Sequence, residues 1–313
     1  MAGPVLFIGE TLVDLICERP VSAWADADAF APHCGGAPTN AALVAARCGA
    51  AVALGGGVGD DQWGRWLEER LLAERVDLRW WSRLPGVRTA VAFVVVDEDA
   101  VPDFLIYGEG IEPALVALEP HLEEAVGACA AIALGSNTFI GPRERAVSAR
   151  ARELALEQGK PVVVDVNLRL HRWSDPGVAV DVVRRFCADA TLVKVSGEEA
   201  RLLTGESSPA HAAEALASSL GARLVAVTLG AEGALLRGEA QADARGVPAR
   251  VVDTTGAGDA VTGVLVAALA AAGFAPRAAA DALPLAVSIA ARSTEAYGAL
   301  EALPVDLSVA PSA

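Results

Sequence analysis

Short apolar runs alternate along this chain with stretches whose apolar residues recur at helical spacing. The continuous apolar runs are residues 5–8, 131–134, 161–166, 191–195 and 223–230. The helical patterns between them cover residues 143–158, 177–187, 197–204 and 209–220. Continuous apolar strands separated by helices are typical of a parallel sheet with helices on both faces. The pattern therefore predicts an α/β fold, whose ligands bind at the carboxyl ends of the strands.

Two segments depart from this alternation. Residues 88–108 contain two strand-like runs around an acidic turn, with no helix between them. Residues 14–34 also look extended, because two prolines there limit helix. Segments of about 14–34 and 88–110 are therefore expected to form a small β element beside the main sheet. Since no internal repeat, linker or second core-sized segment is visible, we expect residues 1–313 to form a single domain.

Composition narrows the classes of function. Hydrophobic residues make up 53% of the 313 residues and aromatic residues only 5%, so the core is expected to consist mainly of Ala, Val and Leu. The net charge of −15 argues against nucleic acid and anionic membranes as partners. No apolar run reaches the length of a membrane span, and residues 260–272 fit a buried helix better.

The cysteines suggest a reducing compartment. Their number is odd, they are dispersed and no Cys-x-x-Cys spacing occurs, so we expect buried free thiols rather than disulfides or a zinc site. The first residues are interrupted too early by Glu10 for a signal peptide. Together these features predict a cytoplasmic protein.

The stretch "VVDTTGAGDA" at 251–260 ends an apolar run and begins a helix of small residues. The first amides of a helix are unpaired and carry partial positive charge, and the two glycines let backbone approach an anion such as phosphate. A carboxylate at Asp259 is useful there if it takes the proton from a hydroxyl that attacks phosphorus. Aspartate is also a common helix cap, so this turn alone leaves a structural role open.

Two longer segments carry a family resemblance. "DTTGAGDA" at 253–260 resembles the C-terminal signature of the PfkB (ribokinase-like) family of carbohydrate kinases, and "CGGAPTNAALVAARCGA" at 34–50 resembles its N-terminal signature. Shorter matches follow in the family's order: "GETLVD" at 9–14, "DVNLR" at 165–169, "VKVSGEEARLLTG" at 193–205 and "VTLGAEGALL" at 227–236. The resemblance covers nearly the whole chain. It implies a ribokinase-like three-layer sandwich, a mostly parallel central sheet, a small β lid and ATP-dependent phosphorylation of a sugar.

The resemblance also implies a set of site residues. The matches to the catalytic base and its anion hole are Asp259, Gly256, Ala257 and Gly258. The matches to sugar-binding positions are Asp14, Gly35, Gly36, Asn40, Tyr107 and Arg169. Alternative structural roles are a solvated strand end for Asp14 and a helix cap for Asn40.

Nucleotide and cation positions follow from the same resemblance. The matches to the family's ATP-binding positions are Lys194, Ser196, Glu199, Thr228, Gly230 and Gly233. The matches to a monovalent-cation site, expected to hold K⁺, are Asp253, Thr255 and the backbone near Gly298. Mg²⁺ is expected with the ATP phosphates, held through water by Glu199, which could equally be a plain exposed helix carboxylate.

Two departures from the family pattern bear on the substrate. The phosphate–magnesium motif often begins with asparagine but here begins with Ser196, as in fructokinases and 2-keto-3-deoxygluconate kinases. Relatives that phosphorylate the keto acid have a lid arginine where this chain has Gly108, which leaves Arg169 as the remaining arginine unless another, such as Arg88, reaches the same space from the neighbouring strand. A planar carboxylate favours paired arginines. We therefore expect a neutral sugar, with fructose the leading candidate, and keep the keto acid and a nucleoside or aminoimidazole riboside as alternatives.

Other classes of protein fit less well. A nicotinamide-dependent oxidoreductase would need a glycine at Asp60 to complete the fingerprint suggested by "GGGVGDD" at 55–61. A Walker A turn is absent, because neither Lys160 nor Lys194 is followed by serine or threonine. A non-catalytic binding protein on the same fold has no need for Asp259 beside an intact glycine turn. The family often dimerises through its lid, so we expect a homodimer.

Overall fold

The computed structural model describes residues 3–307. The strands are β1 (Val5–Ile8), β2 (Leu12–Pro20), β3 (Ala31–Gly35), β4 (Val52–Gly59), β5 (Asp77–Leu84), β6 (Val91–Val96), β7 (Pro102–Tyr107), β8 (Ala131–Gly135), β9 (Val162–Asp165), β10 (Leu192–Ser196), β11 (Leu224–Thr228), β12 (Gly233–Gly238) and β13 (Ala242–Arg245). The helices are α1 (Ala37–Arg47), α2 (Gln62–Ala73), α3 (Ile111–Val116), α4 (Leu122–Ala128), α5 (Pro142–Glu157), α6 (Pro176–Cys187), α7 (Gly197–Thr204), α8 (Pro209–Leu220), α9 (Ala257–Ala271) and α10 (Pro276–Ser293).

Nine strands form the central sheet, in the order β13-β12-β11-β10-β9-β8-β1-β4-β5. All neighbours pair in parallel except β11–β12 and β12–β13, which are antiparallel. The predicted α/β class is confirmed, because buried apolar strands such as β1 and β9 recur between helices. The carboxyl ends of the parallel strands share one edge, where ligands bind in such sheets.

Four strands form a second, smaller sheet in the order β3-β2-β6-β7. Only β2 and β6 pair in parallel within it. These strands come from the two segments whose patterns lacked a helix, so the predicted small β element is present.

Two groups of buried side chains cover the two faces of the central sheet. One unites α1 with α9 and α10, and α9 is buried along most of its length, as predicted for residues 260–272. The other packs α4 to α8 against the opposite face. Both consist mainly of Ala, Val and Leu, and the cysteines at 17, 34, 48, 129 and 187 are free and buried. No helix among residues 3–307 is long and apolar enough to cross a membrane.

Candidate active site

One cleft lies between the small sheet and the carboxyl end of the central sheet. Strands β2, β6 and β7 supply one wall, and the segments that follow β1, β8 and β9 supply the other. The start of α9 reaches its floor with Gly256, Gly258 and Asp259. The fold thereby brings together positions far apart in sequence.

Gly256 adopts the backbone conformation that the turn before α9 requires. Its φ of 77° is left-handed, and a Cβ there would lie 2.3 Å from the Cβ of Ala299. Only glycine fits this conformation and this close approach without strain. The amide of Ala257 donates to the carbonyl of Thr254 at 3.3 Å, so of the three predicted anion-hole residues Ala257 is already hydrogen-bonded.

Asp259 is 8% exposed, and its Oδ2 accepts a hydrogen bond of 2.9 Å from Asn40 Nδ2. Burial raises its pKa to about 7, with the charge of Asp165 adding to the rise and that of Lys194 opposing it. A carboxylate with a pKa near neutrality is suited to general base catalysis, because it ionises at working pH and still accepts a proton readily.

A buried ion pair lies next to this carboxylate. Lys194 Nζ is 3.0 Å from Asp165 Oδ1, and Thr262 Oγ1 donates to Asp165 Oδ2 at 2.5 Å. Burial lowers the pKa of Lys194, but the charges of Asp165, Glu199 and Asp259 outweigh this and raise it. A Cβ on Gly258 would lie 2.5 Å from Nζ, so the ammonium group is packed against the first turn of α9. The ammonium group of Lys194 and the main-chain amides at the start of α9 therefore lie close together.

The predicted sugar-binding residues cluster beside Asp259. Asp14 is 4% exposed, so it is not a solvated strand end; burial raises its pKa to about 8, which His33 opposes. A Cβ on Gly35 would lie 2.1 Å from Asp14 Oδ2. Gly36 has a φ of 101°, and a Cβ there would lie 2.3 Å from the carbonyl oxygen of Glu10. The Gly-Gly turn thus leaves room for the Asp14 carboxyl and the backbone of the cleft.

Of the two remaining predicted sugar-binding residues, Arg169 and Tyr107, only Arg169 lies at the cleft. Arg169 lines the cleft, with its guanidinium 5.9 Å from the ring centre of Phe104. Tyr107 is 55% exposed near the end of β7 and packs edge-on against Phe93, outside the residues that line the cleft. The structure therefore does not bring Tyr107 to the other predicted sugar-binding residues.

Ser196 and Glu199 form a capping box at the start of α7. Ser196 Oγ accepts from the Glu199 amide at 3.1 Å, and Glu199 Oε2 accepts from the Ser196 amide at 2.7 Å. Glu199 Oε1 accepts a third bond, from the Leu168 amide at 2.6 Å. Glu199 is thus a half-buried carboxylate that fixes α7 and the segment after β9, rather than a plain exposed one.

The remaining nucleotide positions lie around the turn between β11 and β12. Thr228 ends β11 and its hydroxyl donates to the Val195 carbonyl at 3.4 Å. Gly230 and Gly233 have φ values of 57° and 110°. A Cβ on Gly233 would lie 2.1 Å from the Ala244 carbonyl oxygen, so the turn requires glycine there. Of the six predicted nucleotide residues only Lys194 lines the cleft itself.

The three predicted cation residues converge on one carboxylate. Asp253 is fully buried, and its two oxygens accept 2.9 Å hydrogen bonds from the amides of Thr255 and Gly298. The hydroxyl of Thr255 is buried without a partner. Hard oxygen donors with one unsatisfied hydroxyl fit an alkali cation. Within residues 3–307 no cluster of three or more His, Cys, Asp or Glu could hold a metal ion.

Six polar residues that line the cleft were not predicted as site residues: Glu10, Asn137, Asn167, His171, Arg172 and Thr254. Arg169 is therefore not the only arginine that lines the cleft, because Arg172 lines it as well. Neither arginine forms an ion pair with a carboxylate among the described residues. A sequence signal was available for His171 and Arg172, because "LHRW" at 170–173 directly follows the motif "DVNLR".

A buried carboxylate, a lysine and a glycine turn at the head of a helix are the groups that phosphoryl transfer to a hydroxyl requires. Residues 4–306 match the model of the pfkB family carbohydrate kinases, so the chain belongs to that family and is an ATP-dependent carbohydrate kinase.

Individual relatives agree with this assignment. Fructokinase-1 of Oryza sativa subsp. japonica is 35% identical over 269 residues, covering 84% of this chain and 81% of its own. The fructokinase of Klebsiella pneumoniae is 32% identical and covers 97% of both chains. The crystal structure of a Vibrio cholerae fructokinase with fructose, ADP and calcium has a TM-score of 0.81 and 30% identity, covering 96% of both chains.

Proposed function

We propose that this kinase transfers the γ-phosphate of ATP to a primary hydroxyl of a small neutral sugar, with fructose the leading candidate. The observation that carries this proposal is the buried Asp259 beside Asn40, at the head of α9 and in the same cleft as Asp14. Fructokinase relatives at about a third identity support fructose as the sugar.

The predicted catalytic and sugar-binding residues of the cleft have distinct roles in this account. Asp14 and Asn40 hold sugar hydroxyls, since a carboxyl and an amide can each bond more than one of them. Asp259 takes the proton of the attacking hydroxyl. Lys194 and the amides at Gly256 and Gly258 stabilise the negative charge on the transferred phosphoryl group.

ATP and cations complete the proposal. The nucleotide lies over the β11–β12 turn at Thr228, Gly230 and Gly233, with its phosphates pointing to the start of α9. Mg²⁺ bound to those phosphates neutralises their charge and is held near Ser196 and Glu199 through water. K⁺ near Asp253, Thr255 and Gly298 would supply a fixed positive charge beside the α9 turn.

The remaining proposals concern the domain organisation, the cellular compartment and the oligomeric state of the protein. We propose one domain with the small sheet as its lid, in a cytoplasmic enzyme whose thiols stay reduced. Leu105 and Tyr107 on the edge strand β7 are 46% and 55% exposed, which supports a homodimer through the lid. Light scattering of the purified protein tests that dimer, and a monomer at micromolar concentration contradicts it.

Arg169 and Arg172 favour a second candidate substrate, 2-keto-3-deoxygluconate. Two guanidinium groups without a carboxylate partner can bind a planar carboxylate. A coupled assay of ADP release should compare kcat/KM for fructose, ribose, an aminoimidazole riboside and the keto acid. We expect fructose to be preferred; a keto acid preferred by tenfold or more contradicts the first proposal and supports the second. Arg172→Leu should then abolish that preference.

A further inference from the structure

Glu10 is a buried carboxyl group at the wall of the cleft. It follows β1 by two residues and is only 4% exposed. It lines the cleft together with Asp14, Asn40 and Asp259, to which the sugar and catalytic roles are assigned. A charged residue this deeply buried needs hydrogen-bonding partners.

The two oxygens of Glu10 are in different situations. Oε1 accepts a hydrogen bond of 2.9 Å from Asn137 Nδ2. Oε2 is buried and no donor among the described residues meets hydrogen-bond distance and angle to it, although the main-chain amides of Glu10 and Ala37 lie close enough to the carboxyl group to lower its pKa. An unsatisfied buried oxygen is costly, so a donor is expected to arrive with whatever fills the cleft.

A third residue fixes the direction of this hydrogen bond. Arg172 Nη1 donates to Asn137 Oδ1 at 3.2 Å, so the amide nitrogen of Asn137 must face Glu10. Burial raises the pKa of Glu10, while the hydrogen bond from Asn137, the main-chain amides of Glu10 and Ala37 and the charge of Arg172 oppose the rise.

We propose that Glu10 is a sugar-binding residue whose Oε2 accepts a hydrogen bond from a hydroxyl of the sugar, with Arg172 acting through Asn137 as a positioning residue. The ligand chemistry is a neutral polyol or sugar that offers a hydroxyl donor at this wall. The inference rests on the proposed function and adds a determinant of specificity to it.

Glu144 provides a matched control. It too is buried, its Oε1 accepts from the Gly141 amide at 2.8 Å, and its Oε2 has no partner. Glu144 caps the start of α5 and does not line the cleft. If Glu10→Gln changes a kinetic constant that Glu144→Gln leaves unchanged, the cause is therefore the position of Glu10 in the cleft rather than the loss of a buried charge.

The first test compares Glu10→Gln with Glu144→Gln. Asn137 keeps the glutamine oxygen towards itself, so an NH₂ group replaces Oε2 and the acceptor is lost. We expect the KM for fructose to rise by about 10- to 150-fold, the range of one hydrogen bond to a charged group, with the KM for ATP unchanged. Glu144→Gln should leave both KM values unchanged. A fructose KM within twofold of wild type, in a folded Glu10→Gln protein, overturns the proposal.

A second variant keeps the test sharp if Glu10→Gln does not fold. Arg172 is half-buried, and Arg172→Leu frees Asn137 to flip. Arg172→Leu alone should weaken fructose binding in calorimetry without ATP, and unchanged binding overturns the positioning role. Where Glu10→Gln folds, the loss caused by Arg172→Leu should be smaller in that background. Equal losses in both backgrounds overturn the positioning role. A wild type that phosphorylates no sugar contradicts the proposed function instead, since calorimetry measures fructose binding separately.

Discussion

Asn40 Nδ2 donates a hydrogen bond of 2.9 Å to Asp259 Oδ2, across 219 positions of sequence. The first turn of α1 and the first turn of α9 therefore meet at one carboxylate. In the proposed function the bond from Asn40 keeps the carboxyl group in one orientation, with the other oxygen, Oδ1, facing a substrate hydroxyl. This contact joins the proposed sugar-binding side of the cleft to the proposed phosphate-binding side.

The raised pKa of Asp259 predicts a pH dependence. A general base works only when ionised, and the pKa of Asp259 is about 7, so its active fraction grows as the pH rises through 7. With sugar saturating, kcat/KM for ATP should fall by about tenfold per unit of pH below 6.5 and level off above 8. A flat profile between pH 5.5 and 8 contradicts the role of this group.

Gly256→Ala should damage the anion hole. A Cβ there meets Ala299 at 2.3 Å, so the start of α9 must move. We expect kcat to fall by about 10²-fold, the effect of losing one such donor. Gly273→Ala is the control, because its φ of 61° imposes similar left-handed strain but nothing lies within 4 Å of the new Cβ. If the two variants have equal kcat, the strain alone explains the effect.

Lys194→Met should weaken stabilisation of the transferred group. Losing one charged hydrogen bond predicts a fall in kcat/KM for ATP of about 10- to 150-fold. The change also leaves Asp165 buried without its partner, which lowers stability. The double variant with Asp165→Asn should recover the melting temperature but not the activity.

The only other lysine of the chain is the control for this experiment. Lys160 donates to the main-chain carbonyls of Gly127 and Cys129, away from the cleft. Lys160→Met should therefore lower stability and leave the KM for ATP unchanged. An active Lys194→Met/Asp165→Asn enzyme contradicts the role given to Lys194.

The loop at Asp253 predicts a response to potassium. Wild-type enzyme should be faster and melt at a higher temperature in K⁺ than in tetramethylammonium at equal ionic strength. Asp253→Asn should lose both differences, because the carboxylate that orders Thr255 and Gly298 is neutral. The exposed Asp281→Asn, on α10, should keep them. Equal wild-type rates and melting temperatures in the two salts contradict a cation site here.

Much of the fold could be predicted because buried parallel strands are continuous apolar runs. The run at 5–8 is β1 itself, and the pattern at 209–220 coincides with α8. Strand β4 was not recognised, since its "GGG" looks like a loop in isolation. In the sheet these glycines allow close packing: a Cβ on Gly57 would lie 2.1 Å from the Ser82 carbonyl oxygen.

The site could be predicted where short motifs carry it, as at Gly256 and Asp259. Glu10 lies within the motif at 9–14 and Arg172 follows the motif at 165–169, but their contacts with Asn137 form across 127 and 35 positions and cannot be read from a motif. Each looks like an ordinary polar residue until the strands that precede it are placed side by side. The role of Glu199 was equally hidden, because its bond to Leu168 depends on β9 lying next to β10.

The most direct test of the central claim is the turnover of Asp259→Asn with ATP and the preferred sugar, measured as ADP release. The substitution keeps the shape of the side chain and removes the base. We predict that kcat falls by about 10²–10⁴-fold, while the melting temperature and ATP binding stay close to those of wild type. A kcat within about threefold of wild type would contradict the claim that Asp259 is the general base of this kinase.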